Sequence, residues 1–280
     1  MEDMNMIKVL GIFTCYNRKN MSLKCIESLM QDKSIEWQFI VVDDNSNDGT
    51  KEALQKYNNV FVIAGDGNLY YSGGMNIGMK NAQDYIRKNN NIDYVVMLNN
   101  DVNFHNGAIG KMIQISRRMQ NAVIAGSTEG INGEFTYGGI VKTSSWRPKT
   151  MHVMDKNKLV KCDTCNGNCV LIPKDIFMDV PIMDSKYRHS FGDYDYGFSI
   201  TKRGYSILAS NFYVGICEDD HVKEKTWEDC KLSVKERIER KRHPLGHPGK
   251  IWFYYLNKNY GFFTAILYSI NDFIKIIMGR

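Results

Sequence analysis

YVVMLNND (residues 94–101) decides the fold, because it predicts a buried strand that ends in oxygen-bearing side chains. Its first five residues are apolar, and a short run rich in β-branched and aromatic residues favours a strand covered on both faces. In open α/β sheets, ligands bind beyond the carboxyl ends of the strands. Asp101 carries the oxygen ligands that hard divalent cations prefer. A polar strand-to-loop exit explains the same residues. The choice between a ligand-binding site and a simple turn therefore depends on the rest of the chain.

The same pattern of an apolar strand with a polar exit precedes this stretch. We predict strands at residues 7–14, 37–42 and 60–64, separated by helices at residues 20–30, 48–57 and 75–88. Such alternation implies a parallel sheet with right-handed crossovers. Polar clusters follow the first, second and fourth strands, and a glycine-rich loop follows the third. All four exits are expected to meet at one edge of the sheet, as in a nucleotide-binding α/β domain.

The second half of the chain has a different rhythm. We predict helices at residues 105–119 and 193–203 and strands at residues 122–126, 135–141, 169–172 and 205–216. Turn-rich connections separate these elements. The pattern is typical of a mixed sheet edge with loops, and such an edge commonly forms the substrate side of a site.

The C-terminal part combines a charged helix, residues 227–242, with a segment rich in aromatic and aliphatic residues, 251–278. No apolar run there reaches the ~18–20 residues that a membrane span needs. We predict an amphipathic helical tail. Two interpretations stay open: the tail folds back on the domain, or it lies on a membrane interface with the basic run beside it.

Composition narrows the class of protein. The 280 residues carry a net charge of +5, a mild bias that does not indicate nucleic-acid binding and that suits an acidic substrate or an anionic membrane surface. The polar start predicts no signal peptide, so we expect a cytoplasmic protein. The seven cysteines are expected to be buried thiols. Cys162, Cys165 and Cys169 are spaced somewhat like a metal site but lack a fourth ligand at a matching spacing.

Phosphate-binding motifs are mostly absent. Neither a P-loop nor a G-x-G-x-x-G motif after the first strand occurs, which argues against P-loop NTPases and dinucleotide dehydrogenases. Gly73 and Gly74 are predicted at a helix N-terminus, where N–H groups favour an anion, although a simple turn would also use them. Asp43 and Asp44 leave the second strand. They would accept hydrogen bonds from a base or ribose, or else cap a helix or turn.

Two further acids and a histidine complete the candidates. Asp193 and Asp195 lie in an aromatic stretch, and partial burial against rings would raise a carboxyl pKa and suit it to act as a base. Helix capping explains their spacing equally well. His221 is of a residue type that commonly ligates metals.

The motifs together resemble family 2 inverting glycosyltransferases, which have the GT-A fold. They are TCYNR (residues 14–18), VDDNSNDGT (42–50), GN (67–68), GGMNIG (73–78), LNND (98–101) and GDYD (192–195). The resemblance covers residues 7–221 and is strongest to the rhamnosyltransferase-like group of bacterial cell-surface polysaccharide enzymes. It implies an α/β fold: a Rossmann-like nucleotide-binding sheet with a mixed acceptor-side edge, followed by the C-terminal helical tail.

The resemblance also implies roles for individual residues. Residues 99–101 take the place of the family's Asp-x-Asp motif, with Asn99 in the position of its first acid, so that Asp101 alone keeps the charge. His221 matches a late histidine of the family that often completes metal binding. Asp101 and His221 would therefore bind a divalent metal, Mn²⁺ or Mg²⁺. Asp193 matches the family's base, but Gly192 replaces the usual preceding acid, so Asp195 stays an alternative. The implied nucleotide-sugar-binding residues are Thr14, Tyr16, Asn17, Arg18, Asp43, Asp44, Asn68, Gly74, Asn76 and Asn100.

The implied function is transfer of a sugar from a nucleotide-diphosphate sugar to a hydroxyl of a glycan acceptor, by one inverting displacement. The basic, hydrophobic tail suggests a lipid-linked glycan and a position on the inner face of the cytoplasmic membrane. The expected domains are residues 1–221, with a nucleotide-sugar half (1–126) and an acceptor half (127–221), and a helical segment, 222–280. Two alternatives remain: a non-catalytic scaffold with the same fold, and a sugar nucleotidyltransferase, whose typical glycine-rich loop is missing after the first strand.

Overall fold

The computed structural model describes residues 6–218 and 226–278, and strands and helices alternate through the first half as predicted. The strands of the described chain are β1 (Ile7–Cys15), β2 (Ile35–Asp43), β3 (Val60–Ala64), β4 (Tyr94–Leu98), β5 (Asn103–Phe104), β6 (Val123–Glu129), β7 (Gly139–Lys142), β8 (Thr150–Val153), β9 (Val160–Cys162), β10 (Thr164–Cys165), β11 (Cys169–Pro173) and β12 (Ile207–Ile216). The helices are α1 (Lys19–Leu29), α2 (Thr50–Leu54), α3 (Tyr70–Asn89), α4 (Ala108–Arg118), α5 (Lys174–Asp179), α6 (Gly192–Lys202), α7 (Val234–Arg242), α8 (Gly249–Tyr260) and α9 (Phe262–Met278), with a 3₁₀ turn at Pro244–Gly246.

One large mixed sheet forms the centre of the fold, in the order β3-β2-β1-β4-β11-β6-β12-β5, with β9 paired to β12. Strands β1 to β4 are parallel, as expected from their helical crossovers. Strand β11 then runs antiparallel between β4 and β6, which gives the predicted mixed edge. Strands β10, β7 and β8 form a second, small sheet. The α/β class, the mixed edge and the C-terminal helices are therefore confirmed.

Strand β4 lies at the centre of the core and is buried along its whole length. Tyr94, Val96 and Leu98 pack on one face of the sheet with helices α1 and α4. Val95 and Met97 pack on the other face with α3, α5 and α6. This alternation between two apolar layers is what the continuous apolar run of residues 94–98 predicts.

Helix α3 begins at Tyr70, five residues before its predicted start. The Asp44 carboxylate, from the end of β2, accepts hydrogen bonds from the Leu69 and Tyr70 N–H groups and so satisfies the first donors of the helix. The prediction that Gly73 and Gly74 form the helix N-terminus is therefore wrong. Both glycines lie inside α3, and the anion at its N-terminus is the Asp44 side chain itself.

The C-terminal part departs from the sequence prediction in two places. Helix α7 begins at Val234 instead of residue 227, because Ser233 and Glu236 form a capping box that fixes its start. The tail is two helices, since Gly261 breaks it with a φ of +93°. Within the described helices, no segment is both long and apolar enough to cross a membrane.

Candidate functional site

The loops after β1 and β2 are bound to each other at the carboxyl edge of the sheet. The Asn17 N–H donates to Ser46 Oγ at 2.9 Å, and the Asn47 N–H donates to Asn17 Oδ1 at 2.8 Å. Asn17 has a φ of +51°, a conformation that asparagine tolerates better than most residues. Tyr16 stands beside this connection with its ring exposed. The two loops therefore present one continuous surface.

Asp43 and Asp44 are almost fully buried and shape these loops. Asp43 Oδ1 accepts hydrogen bonds from the Ser46 N–H at 3.1 Å and from the Ser46 hydroxyl. Asp44 accepts from the Gly67 N–H at 2.8 Å, as well as from the start of α3. The turn and the helix cap that the sequence left as alternatives are thus both present. A contact to a base or ribose stays a prediction for these two residues.

Thr14, Gly74 and Asn76 bring α3 close to its neighbours. The Thr14 hydroxyl donates to the Val42 carbonyl at 3.0 Å, and its side chain lies directly against Gly74. A Cβ atom at residue 74 would overlap Thr14, so this close approach requires glycine. The Asn76 amide donates to the Met183 carbonyl. Glycine 74 thus sets the distance between α3 and the end of β1.

Asn68 is exposed on the loop that follows β3, and a second segment of the chain meets it there. The Arg188 guanidinium donates to the Asn68 carbonyl, with Nε at 3.1 Å, and lies over the Tyr70 ring. The Gly73 N–H donates to the Arg188 carbonyl at 3.0 Å. This places a second exposed cation, besides Arg18, on the surface where the family resemblance implies nucleotide-sugar binding.

Residues 99–101 point in three different directions. Asn99 Nδ2 donates at 2.9 Å to Asn168 Oδ1, on the residue just before β11. Asn100 is buried, and its amide donates to the Ser22 hydroxyl at 2.9 Å. Asp101 pairs with Arg18, with 2.9 Å between Arg18 Nη1 and Asp101 Oδ2. Asp101 is thus the group of this motif that carries charge at the surface.

The described residues around Asp101 offer few ligands for a metal ion. Among residues 6–218 and 226–278, no three His, Cys, Asp or Glu side chains lie close enough together to hold an ion. The predicted ligand His221 lies outside the described residues. Cys162, Cys165 and Cys169 are buried, and burial raises the pKa of each thiol.

Asp193 lies in the first turn of α6 and is held by two backbone donors. Its Oδ2 accepts from the Gly167 N–H and its Oδ1 from the Tyr194 N–H, both at 2.9 Å. Burial nevertheless raises the pKa of this carboxyl to about 6, because it destabilises the charged form more than these bonds stabilise it. A carboxylate with such a pKa is ionised at neutral pH and is still a useful proton acceptor.

Asp195 has a different environment, although it is only two residues away. It is 2% exposed and ion-paired, with 2.6 Å between Lys258 Nζ and Asp195 Oδ2. Its other oxygen accepts from Asn259 Nδ2 at 2.8 Å. Both partners belong to α8. Nearby, the ring of Phe191, which precedes α6, stacks on Tyr255 of the same helix. Helix α8 thus holds the beginning of α6 at two points, and Asp195 takes part in that contact.

The turn at residues 166–168 connects the surroundings of Asp193 with the motif that ends in Asp101. It was not among the residues predicted from the sequence. Gly167 binds Asp193, and Asn168 binds Asn99. The Tyr71 hydroxyl lies beside Gly167, and its pKa is raised well above the ordinary value by burial and by the charges of Asp193 and Asp101. The sequence does contain a signal for this turn, since a polar Asn-Gly-Asn run precedes β11. In an antiparallel strand the amino end lies at the edge where the parallel strands end.

Comparison with known proteins agrees with the family that the motifs resemble. The model of the family described as "Glycosyl transferase family 2" matches residues 12–180. Poly(ribitol-phosphate) beta-glucosyltransferase from Bacillus spizizenii is 24% identical over 236 residues, which cover 76% of this chain and 36% of that protein. The chain therefore spans about a third of the length of that relative.

Solved structures share the architecture. A crystal structure of GalNAc-T7 with UDP, GalNAc and Mn²⁺ superposes with a TM-score of 0.61 at 14% identity, covering 86% of this chain and 48% of that chain. A structure of S. aureus TarS 1-349 gives a TM-score of 0.52 at 16% identity, covering 97% and 81%. At these identities the likeness establishes the fold, and it confirms the one expected from the motifs.

Proposed function

Because the chain belongs to glycosyl transferase family 2 and has the GT-A fold, we propose that it transfers a sugar from a nucleotide-diphosphate sugar to a hydroxyl of a glycan acceptor, with inversion. One observation carries the proposal: Asp193, with its raised pKa, is bound to the same turn, residues 166–168, that binds the motif ending in Asp101. The turn links a candidate base to the candidate diphosphate corner.

Asp193 is the proposed base. Its carboxylate takes the proton of the acceptor hydroxyl while that oxygen attacks the anomeric carbon, and the bond from this carbon to the diphosphate breaks on the opposite face. One displacement inverts the anomeric centre. Asp195 is less suited to this role, because its charge is paired with Lys258 and its side chain is almost fully buried.

The proposed donor-binding residues divide into two groups by exposure. Tyr16, Asn17, Arg18 and Asn68 are exposed and would contact the nucleotide sugar directly. The others support the loops from below through the hydrogen bonds and contacts described above: Thr14, Asp43, Asp44, Gly74, Asn76 and Asn100.

We propose that Asp101 and His221 hold a divalent ion, Mn²⁺ or Mg²⁺, together with diphosphate oxygens of the donor. The residue types suit such an ion, since Asp101 is a hard oxygen ligand at the surface and already pairs with a positive charge, that of Arg18. When bound, the ion would neutralise charge on the diphosphate leaving group. The structure of GalNAc-T7 carries Mn²⁺.

For the acceptor, we propose a cell-surface polysaccharide precursor on the cytoplasmic side of the membrane, as a polymer or lipid-linked glycan. The curated relative is named for a poly(ribitol-phosphate) acceptor. We retain the division into a transferase domain, residues 1–221, and a C-terminal helical segment, 222–280. The contacts of α8 with α6 make that segment a support of the site.

The test is a panel of nucleotide sugars incubated with the protein, with and without Mn²⁺ and with and without candidate acceptors. A thermal-shift measurement first identifies the donor, because a ligand that binds the folded state raises the unfolding temperature. We expect nucleotide release that depends on the acceptor and the metal. Donor binding without release under any condition would favour the scaffold alternative. Synthesis of a nucleotide sugar from a nucleoside triphosphate would favour the nucleotidyltransferase.

A further inference from the structure

Helix α9 buries two polar residues, Thr264 and Asp272, while most of its large apolar side chains are exposed, which is unlike an ordinary surface helix. Asp272 is buried and ion-paired, with 2.8 Å between Lys241 Nζ and Asp272 Oδ2. The hydroxyl of Thr264, also buried, donates to the Trp146 carbonyl at 3.1 Å. The inner side of α9 is therefore occupied by contacts with the rest of the protein.

Arg237 of α7 fixes this orientation of α9. Its side chain is almost fully buried, and Nη1 donates to the carbonyls of Lys275 at 3.1 Å and Ile276 at 3.0 Å. These carbonyls belong to the last turn of α9, where a cation interacts favourably with the helix dipole. Rotating the outer face of α9 inward would break these bonds and the Asp272 ion pair.

The outer face of α9 is a continuous apolar stripe. Phe263 is 85% exposed, and Leu267, Ile270, Phe273 and Ile277 follow at helical spacing, each more than half exposed. Phe262, Ile266, Ile274 and Met278 widen the stripe. Contiguous exposed apolar surface of this kind marks an interaction site in soluble domains.

We propose that this stripe docks on an anionic lipid bilayer as an interfacial helix. The described residues 226–278 contain nine Lys and Arg against five Asp and Glu, a net charge of +4 out of the chain's +5. The acid of α9 itself, Asp272, is consumed on the inner side. An uncharged apolar stripe beside an excess of cations is what binds to anionic lipid surfaces.

The charge also decides between a bilayer and a second copy of the chain. Two copies that met through this stripe would bring two segments of net charge +4 together, and like charges oppose such a contact. Anionic headgroups attract the same segment. Because Lys258 of α8 is ion-paired to Asp195 of α6, docking of the α8–α9 pair would also fix the height of the candidate site above the membrane.

The test is flotation of the full chain with vesicles of phosphatidylcholine alone and of phosphatidylcholine mixed with phosphatidylglycerol. We expect flotation with the anionic vesicles and its loss at high salt. The double substitution Phe263→Ser and Leu267→Ser should lower the partition coefficient roughly tenfold or more, since each side chain would otherwise bury apolar area. Ile131→Ser, at a residue 77% exposed and remote in sequence, is the matched control and should change nothing.

Three results would overturn this inference: no flotation with anionic vesicles, equal flotation of the α9 double variant, or a dimer by light scattering that the α9 substitutions convert to a monomer. The last result would assign the stripe to a second copy. Unchanged unfolding temperatures of the variants are the check that they fold. Vesicle binding is measured without any sugar donor, so failure of the proposed transfer reaction would leave this test intact.

Discussion

Arg18 Nη1 lies 2.9 Å from Asp101 Oδ2, so a protein cation occupies the carboxylate that the proposed metal site depends on. Both side chains are partly exposed, and such pairs contribute little free energy. We expect Arg18→Gln to raise the affinity for Mn²⁺ in the absence of nucleotide by about two- to fivefold, because it removes a competing cation worth up to about 1 kcal/mol. Calorimetric titration with Mn²⁺ measures this.

Arg87→Gln is the matched control for the Mn²⁺ titration, because Arg87 forms a comparable surface pair with Asp84 inside α3. Asp101→Asn should abolish the Mn²⁺ binding that the wild-type protein shows. A weaker affinity in Arg18→Gln would mean that Arg18 supports the metal site instead of competing with it.

Asp193→Asn should separate activity from stability. Loss of the base should reduce turnover by roughly 10²–10⁴-fold while the donor still binds. The folded pKa of Asp193 is raised, so its stabilising contribution is complete below the unfolded pKa and is lost as the pH rises through about 6. The stability of the wild type relative to the variant should therefore fall as the pH rises through about 6.

Chemical denaturation well above and well below pH 6 measures the stability difference, and donor titration confirms that the site survives. A stability difference between variant and wild type that stays the same on both sides of pH 6 would contradict the environment assigned to Asp193. Near-normal turnover would remove it as the base.

The rate should depend on pH through the same carboxyl. Since the ionised form of Asp193 accepts the proton, kcat/KM should rise about tenfold per pH unit below a midpoint near 6 and level off above it. Initial rates across a pH series measure the midpoint. A rate that falls as the pH rises through 6 would require a protonated group in place of a base.

Asp195 and Lys258 should behave as a structural pair. Lys258→Met leaves a buried carboxylate without its cation, and we expect a loss of about 2–3 kcal/mol in the free energy of unfolding. This loss is at or below the low end of the range for breaking a buried ion pair, because the Lys258 side chain is 34% exposed. The double variant Asp195→Asn with Lys258→Met should recover part of the loss. Urea denaturation of the single and double variants measures the recovery.

The pH profile distinguishes this structural role from a catalytic one. Asp195→Asn should keep measurable transfer with the same midpoint near pH 6, since Asp193 is untouched. A loss of activity as large as that of Asp193→Asn, with the protein still folded, would make Asp195 the base.

Two neighbouring glycines of α3 offer a matched comparison. Gly74→Ala puts a Cβ into Thr14 and should cost about 1–3 kcal/mol through overpacking. Gly73→Ala meets only ordinary contacts and should be neutral or stabilise the helix by up to about 1 kcal/mol. Thermal denaturation of both variants measures the difference. Equal effects would mean that α3 can move away from β1 at little cost.

The structural features that could be predicted from the sequence are those that depend on a local pattern of residues. The apolar run of β4 and its polar exit were readable because burial on both faces leaves a continuous apolar stretch. The start of α3 was not readable, because its cap is Asp44, 25 residues before Leu69. The neighbours of Asp195 were missed for the same reason. Contacts between residues that are distant along the chain leave no periodic trace.

The pairing of Asp195 with α8 has a consequence for the order of events during synthesis. Lys258 is 63 residues after Asp195, so the ribosome completes α6 well before its partner exists. Until α8 emerges and docks, the Asp195 carboxylate and the Phe191 ring lack their covering helix. A nascent chain at that stage exposes aromatic surface and is vulnerable to aggregation. Helix α8 therefore has to be synthesised and docked before α6 is covered.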